Sequence, residues 1–367
     1  MENSVEKIIL QINELEKRME KMIRWKGEME QIVGMLPEAF NNINETMGIN
    51  ESAINSSVRS LYIFEKHFEN VLINRDYELL DPRRKLEREQ YFFPHILSAD
   101  DAIEQIVCNG KSLARFGDGE FEMMSGKQRW KFQKLDMRLS ERLIEVVKSN
   151  IPQLMIGIAD NYGMLDKYEL SAAAAIRAYM TPEVRALHQG YLDENRCYYD
   201  AYITRPYIMF RDRMTDAPRK RFDKLKTIWE KRNVILIEGA QTRFGAGNDF
   251  LAGALSVRRI LAPATNSFSR YDDLLREALR VAGEGDLFLV ALGPCAGVMV
   301  HDLCINGFQA IDVGHADLEY EWFLAGKGDR VLIPHKYSNE MTEGDMVEEY
   351  HEPIYESQII ADYGDRN

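Results

Sequence analysis

The sequence predicts an α/β protein, a mostly parallel sheet with helices on both faces, preceded by a helical, coiled-coil segment. Three observations predict it. Apolar runs of strand length alternate with amphipathic runs of helix length from about residue 98 onward, the pattern of repeated β-α-β units. The strand candidates are mainly apolar, as strands buried on both faces tend to be. Residues 1–36 follow a seven-residue period instead.

In that first segment Val5, Ile12, Met19, Lys26 and Val33 share one seam position, and Ile8, Leu15, Met22, Met29 and Leu36 share the other. Pro37 ends the run, and Asn41–Asn50 reads as a loop. The seam needs a covering helix. Either a second copy of the chain supplies it, making a homo-oligomer through residues 1–36, or the amphipathic stretch Val58–Leu80 folds back as a hairpin. A charged, proline-punctuated junction, Asp81 to Pro94, closes this part, so residues 1–95 are read as one helical segment.

Ser98-Ala99-Asp100-Asp101 caps a helix that Asn109-Gly110 stops. The strand Ser112–Phe116 follows, and further strands are expected at Leu154–Ile158, Asn233–Ile237, Val257–Leu261, Leu287–Leu292 and Gln309–Val313. Helices are expected at Leu139–Lys148, Ser171–Tyr179, Pro218–Trp229, Tyr271–Ala282 and Gly297–Asn306. Residues 96–335 then form the α/β domain. Residues 339–367 carry nine acidic side chains and one basic, so 336–367 reads as a solvated, partly disordered acidic tail.

The net charge of −13 argues against a nucleic-acid partner, which calls for a basic stripe. No apolar run reaches the roughly 18 residues of a transmembrane helix, and the start of the chain lacks a signal core. Cys108, Cys197, Cys295 and Cys304 lack metal or redox spacing and read as small buried hydrophobes, which with the rest suggests a cytoplasmic protein. The histidines other than His315 show no ligand spacing and read as structural or exposed.

Chemistry is expected where polar and glycine-rich residues follow the strands, because the carboxyl ends of parallel strands share one crevice. Arg115-Phe116-Gly117-Asp118-Gly119-Glu120 ends the first strand of the domain, and its glycines allow a sharp turn. Asp118 and Glu120 can converge on a hard divalent cation, Mn²⁺ or Mg²⁺. The bare pair is weak, since 59 acidic residues in 367 give roughly nine such pairs by chance. Its context strengthens it. Thr242-Arg243-Phe244-Gly245-Ala246-Gly247-Asn248-Asp249 reads as a phosphate cradle or a surface turn, without a Walker or dinucleotide fingerprint. Gly293-Pro294 precedes a helix whose start attracts phosphate, or forms an ordinary strand-helix turn. Arg205 would neutralise a leaving phosphate or pair with a surface acid. Past the last strand, Asp317 is expected as the general base, with His315 orienting it and Glu321 or Glu319 as rivals.

These motifs, with Asn266-Ser267-Phe268, Leu292-Gly293-Pro294 and the run Gly307 to Trp322, resemble the GT-D-type glycosyltransferases over about residues 96–335. That family was first catalogued as a bacterial domain of unknown function. The resemblance implies a Rossmann-like fold with a D-x-E metal motif. It further implies transfer of a sugar from a UDP-sugar with a divalent cation to a glycan on a surface protein or polysaccharide. Glucose or another hexose as the sugar, and an inverting single displacement with Asp317 as base, are separate expectations. Asp118 and Glu120 match the metal motif. Arg115, Gly117, Thr242, Arg243, Gly245, Gly247, Asn248, Asp249, Asn266, Gly293 and Pro294 would face the nucleotide. The competing readings are an NAD-linked oxidoreductase, a nucleotide-sugar hydrolase, and a non-catalytic coiled-coil scaffold.

Overall fold

The computed structural model describes residues 92–127, 132–338, 340–341 and 343–364. The heptad, its linker and the second amphipathic stretch lie outside the described residues.

Nine strands form one parallel sheet. They are β1 (His95–Leu97), β2 (Ser112–Phe116), β3 (Leu154–Ile158), β4 (Cys197–Asp200), β5 (Asn233–Gly239), β6 (Ser256–Ala262), β7 (Leu287–Ala291), β8 (Gln309–Asp312) and β9 (Ile359–Asp362). Their spatial order is β1-β4-β3-β2-β8-β7-β5-β6-β9. Strands β3 and β7 are entirely apolar and buried, because helices cover both faces of the sheet. The chain order reverses where β2 lies between β3 and β8. At such a switch point the loops leaving adjacent strands diverge and open a crevice.

All six expected strands are present, each within two residues of its expected ends. β1, β4 and β9 were not expected. Each has only three or four residues, too few for a run to stand out by periodicity. The boundary drawn between residues 95 and 96 falls inside β1.

Ten helices are described: α1 (Ala99–Asn109), α2 (Asp118–Met124), α3 (Met137–Lys148), α4 (Leu170–Tyr179), α5 (Pro182–Gln189), α6 (Ala217–Lys226), α7 (Tyr271–Val281), α8 (Cys295–Ile305), α9 (Ala316–Ala325) and α10 (Pro353–Gln358). Ser98 caps α1 reciprocally with Asp101, as its sequence predicts, and Gly110 ends the helix in the left-handed region. One face of the sheet packs α2, α3, α7 and α8 around Phe121, Leu143, Leu274 and Met299. The other packs α1, α6 and α9 around Ile106, Phe222 and Trp322. No described helix is long and apolar enough to cross a membrane.

Two expectations are corrected here. The 336–367 segment is not a solvated tail along its described length. β9 pairs with β6 and places Ile359 opposite Arg259, while α10 buries Tyr355 and Gln358 accepts from Arg259 Nε at 2.8 Å. Net charge misled because the acids can face water while a few apolar side chains dock. Cys108 and Cys197 are exposed, and only Cys295 and Cys304 are buried.

Candidate active site

The chain leaves β2 and enters α2 at once. Gly117 is the N-cap in extended conformation, so the sharp glycine turn expected there is a strand-to-helix step. Asp118 and Glu120 occupy the first helical turn. Asp118 is exposed, and its Oδ1 accepts from the Gly119 N–H at 2.9 Å. Glu120 is partly buried, and its Oε2 accepts from the Gly117 N–H at 2.7 Å. Burial pushes the Glu120 carboxyl up to about 6 against that hydrogen bond, and the negative charges of Asp312 and Asp118 add to the rise.

Arg115 ties three strand ends together. Its Nε donates to the Asp312 carbonyl (3.0 Å), its Nη2 to Asp312 Oδ1 (2.9 Å) and its Nη1 to the Ala201 carbonyl (3.2 Å). Gly314 makes room for it. That residue has a φ of +45°, and a Cβ there would lie 1.9 Å from Arg115 Nη2. Arg115 therefore braces the crevice rather than presenting a free guanidinium to a nucleotide.

That brace brings in the short 3₁₀ turn after β4 (Ala201–Thr204), and with it Arg205. Arg205 Nη2 donates to the Glu340 carboxylate and to His315 Nδ1 (3.1 Å), and its Nη1 lies 3.8 Å from Glu319 Oε1. A guanidinium only donates, so the His315 contact makes Nδ1 the acceptor and leaves the ring proton on Nε2. Glu319 is fully buried. Its Oε2 accepts from the Tyr207 and Ile208 N–H groups at 3.1 and 2.9 Å, while Oε1 has no hydrogen-bond partner. Burial pushes Glu319 up to about 7, despite Arg205. Tyr202, whose hydroxyl donates to Asn161 Oδ1 at 2.7 Å, is an electrostatic neighbour of both Arg205 and Asp118.

Asp317 and Glu321 do meet, one helical turn apart on α9, but with a partner the sequence did not announce. Lys336 Nζ lies 2.7 Å from both Asp317 Oδ2 and Glu321 Oε1. Asn248 Nδ2 bridges the same pair, at 2.9 and 2.7 Å. Burial works against the Lys336 charge, but the two carboxylates outweigh it and raise its pKa. Asp317, expected as the general base, is thus ion-paired in a cluster that fastens the 242–249 loop to α9.

The rest of that loop packs on the C-terminal segment. Arg243, at a φ of +47°, donates from Nη1 to the His335 and Glu348 carbonyls at 2.7 and 2.8 Å. Gly247 lies against His335 and Tyr350, Gly245 against Leu251, and Thr242 N–H donates to the Gly239 carbonyl. Asp249 accepts from Tyr320 (2.6 Å) and Lys226 (3.2 Å). A third group gathers at the ends of β6 and β7. Asn266, in left-handed conformation, donates from its N–H to the Phe132 carbonyl (2.8 Å) and accepts on Oδ1 from Gln133 Nε2 (2.7 Å). The Phe132 ring fills the space a side chain at Gly293 would need, with a Cβ there falling 2.4 Å from Cε1. Pro294 caps α8.

Lys336, Glu340, Phe132 and Gln133 were not among the expected site residues. They are single side chains on irregular segments, without a repeat or neighbouring motif to mark them. Among the described residues no cluster of three or more His, Cys, Asp or Glu is placed to hold a metal ion. The Asp118/Glu120 pair nevertheless fits a hard cation that draws its remaining ligands from a diphosphate and water, because every donor is oxygen and Asp118 is open to solvent.

A parallel α/β sheet with carboxylates and a braced arginine at its switch point places the chain among α/β proteins of Rossmann-like architecture, whose ligands bind at that crevice. The comparisons narrow that class. Residues 113–341 match the family described as "Glycosyltransferase GT-D fold", and the chain belongs to that family. It is 34% identical over 270 residues to a "Probable glycosyl transferase Gly" of Streptococcus gordonii, covering 72% of this chain and 38% of that protein. It is 34% identical over 273 residues to "Glycosyltransferase GlyD" of Streptococcus pneumoniae, covering 71% and 32%. The chain thus spans 32–38% of the length of these relatives. A solved structure described as "A New Glycosyltransferase (DUF1792) from Streptococcus sanguinis" superposes with a TM-score of 0.69 at 31% identity, covering 74% of this chain and 99% of that one.

Proposed function

We propose that this chain is a metal-dependent glycosyltransferase that moves a hexose from a UDP-sugar to a glycan acceptor on a surface protein or polysaccharide. The observation that carries the reading is the Asp118/Glu120 pair, which follows the inner strand β2 at the switch point of the sheet. Family membership and the relatives' names support glycosyl transfer. The UDP donor and the acceptor class follow from the family resemblance, and the hexose is a separate expectation.

Asp118 and Glu120 would hold the divalent cation, which when bound neutralises the diphosphate and stabilises UDP as leaving group. Arg115 keeps the ends of β2, β4 and β8 in register, so that the carboxylates, Arg205 and His315 face one crevice. Arg205 supplies fixed positive charge, and His315 offers an N–H from Nε2. Asn248 and Lys336 fix the rim of the 242–249 loop. The single-displacement, inverting course belongs to the same proposal and is read from the anomeric configuration of the product.

A thermal-shift titration of UDP, GDP, CMP, dTDP and NAD with and without Mn²⁺ tests the reading. UDP with Mn²⁺ should stabilise the chain, and Asp118→Asn should abolish both that shift and sugar transfer while the unliganded melting temperature holds. Full activity in EDTA, or a shift with NAD in place of UDP, would overturn it.

A further inference from the structure

Glu340 sits in a basic cleft. Arg205 donates to its Oε1 and Arg330 Nε lies 2.9 Å from its Oε2, while His315 stands beside them with its Nδ1 accepting from Arg205. These groups come from separate parts of the chain: Arg205 follows β4, His315 follows β8, and Arg330 follows α9. Glu340 belongs to no helix or strand among the described residues, lying between the buried Lys336 and the turn at Gly344. The two guanidinium groups remain 21% and 38% exposed, so a dissolved anion can reach them.

The cleft also stands beside the crevice already described. Arg115, two residues ahead of Gly117, holds the Ala201 carbonyl on the path to Arg205 and Asp312 on the path to His315. Only one other carboxylate faces Arg205 in the described contacts. That is Glu319, whose ionisation burial already opposes. Without Glu340 the cleft carries uncompensated positive charge, in a fork geometry that matches phosphate oxygens as well as it matches a carboxylate.

We propose that Arg205 and Arg330 form an anion subsite, that Glu340 fills it in the free chain, and that the diphosphate of the sugar nucleotide displaces Glu340 when it binds. This rests on the sugar-nucleotide reading for the source of the anion. Glu340 is then an internal competitor. A site filled by its own side chain binds an outside ligand more weakly, in proportion to the fraction of molecules in which it is open.

The experiment is a calorimetric titration of the full chain with inorganic pyrophosphate in EDTA, where a metal held by Asp118 and Glu120 cannot contribute. Glu340→Gln should bind pyrophosphate about tenfold more tightly than the parent chain. Adding Arg330→Ala should remove that gain. UDP should gain as pyrophosphate does, and uridine should not. If Glu340→Gln melts early, Glu340→Asp, with a carboxylate one methylene further from the cleft, carries the same expectation.

Unchanged or weaker pyrophosphate binding by the folded variant overturns the proposal and leaves Glu340 as a structural latch. A gain for glucose 1-phosphate without one for UDP also overturns it, by assigning the anion to an acceptor. Failure of the glycosyltransferase reading would appear elsewhere, as absence of sugar transfer by the parent chain with Mn²⁺.

Discussion

An ammonium with almost no exposed surface, Lys336, lies 2.7 Å from each of two carboxylates, Asp317 and Glu321. Removing one partner of such a cluster costs more than the cluster contributes, because the charges left behind stay buried. Lys336→Met should therefore lower stability by about 3–5 kcal/mol, measured by urea unfolding. Asp317→Asn should likewise lower the urea midpoint while kcat of the folded fraction falls less than tenfold. A loss of kcat of a hundredfold or more at full stability would identify Asp317 as the base. Glu319 gives a pH signature. Its folded pKa is raised from 4.5 to about 7, mainly by burial. The stabilising effect of the neutral carboxyl is fully present below pH 4.5 and is lost as pH rises through about 7. Glu319→Gln has no such ionisation. The variant should gain on the parent by about 3 kcal/mol between pH 4.5 and 7, seen as converging or crossing melting temperatures.

At the scale of elements, the C-terminal segment is the part whose role changed most between sequence and structure. It supplies β9, α10, Lys336 and Glu340, and it receives Arg243 through two carbonyls. Deleting residues 353–367 would remove the buried Tyr355 and uncover the Arg259–Glu238 pair that it helps enclose. The loss should be about 2–4 kcal/mol, checked by chemical denaturation. A solvated tail would be removed without effect. The segment before α3 behaves similarly. Gly293→Ala combines a φ of +56° with a collision against Phe132, so the Phe132–Gln133 contact with Asn266 must shift. We expect a stability cost of about 1–3 kcal/mol and weaker UDP binding, read in the same titration series.

For the whole molecule, the described fold and the heptad are separable questions. β1 already belongs to the sheet, so a test of self-association should use a chain beginning at Phe92 rather than after β1. That chain should keep UDP binding and lose oligomeric mass by light scattering if residues 1–36 pair between copies. A full-length chain that runs as a monomer would show that the heptad pairs internally.

Much of this was legible in advance. Strands buried on both faces tend to be apolar, so β2, β3, β5, β6, β7 and β8 showed themselves as runs, and Ser98 and Gly110 marked α1 at both ends. Loops that follow parallel strands must share one crevice, so the Asp118/Glu120 pair and the strand-end residues could be assigned to a common face before any coordinates. Partnerships could not be read this way. Whether Asp317 is a free carboxylate or an anchor depends on Lys336, 19 residues away along an irregular segment. Whether Arg205 faces solvent or a carboxylate depends on Glu340, at a sequence separation of 135. Local sequence determines which residues can bury or ionise. Which charges then meet is decided by chain closure over those distances, and only the tertiary structure fixes it.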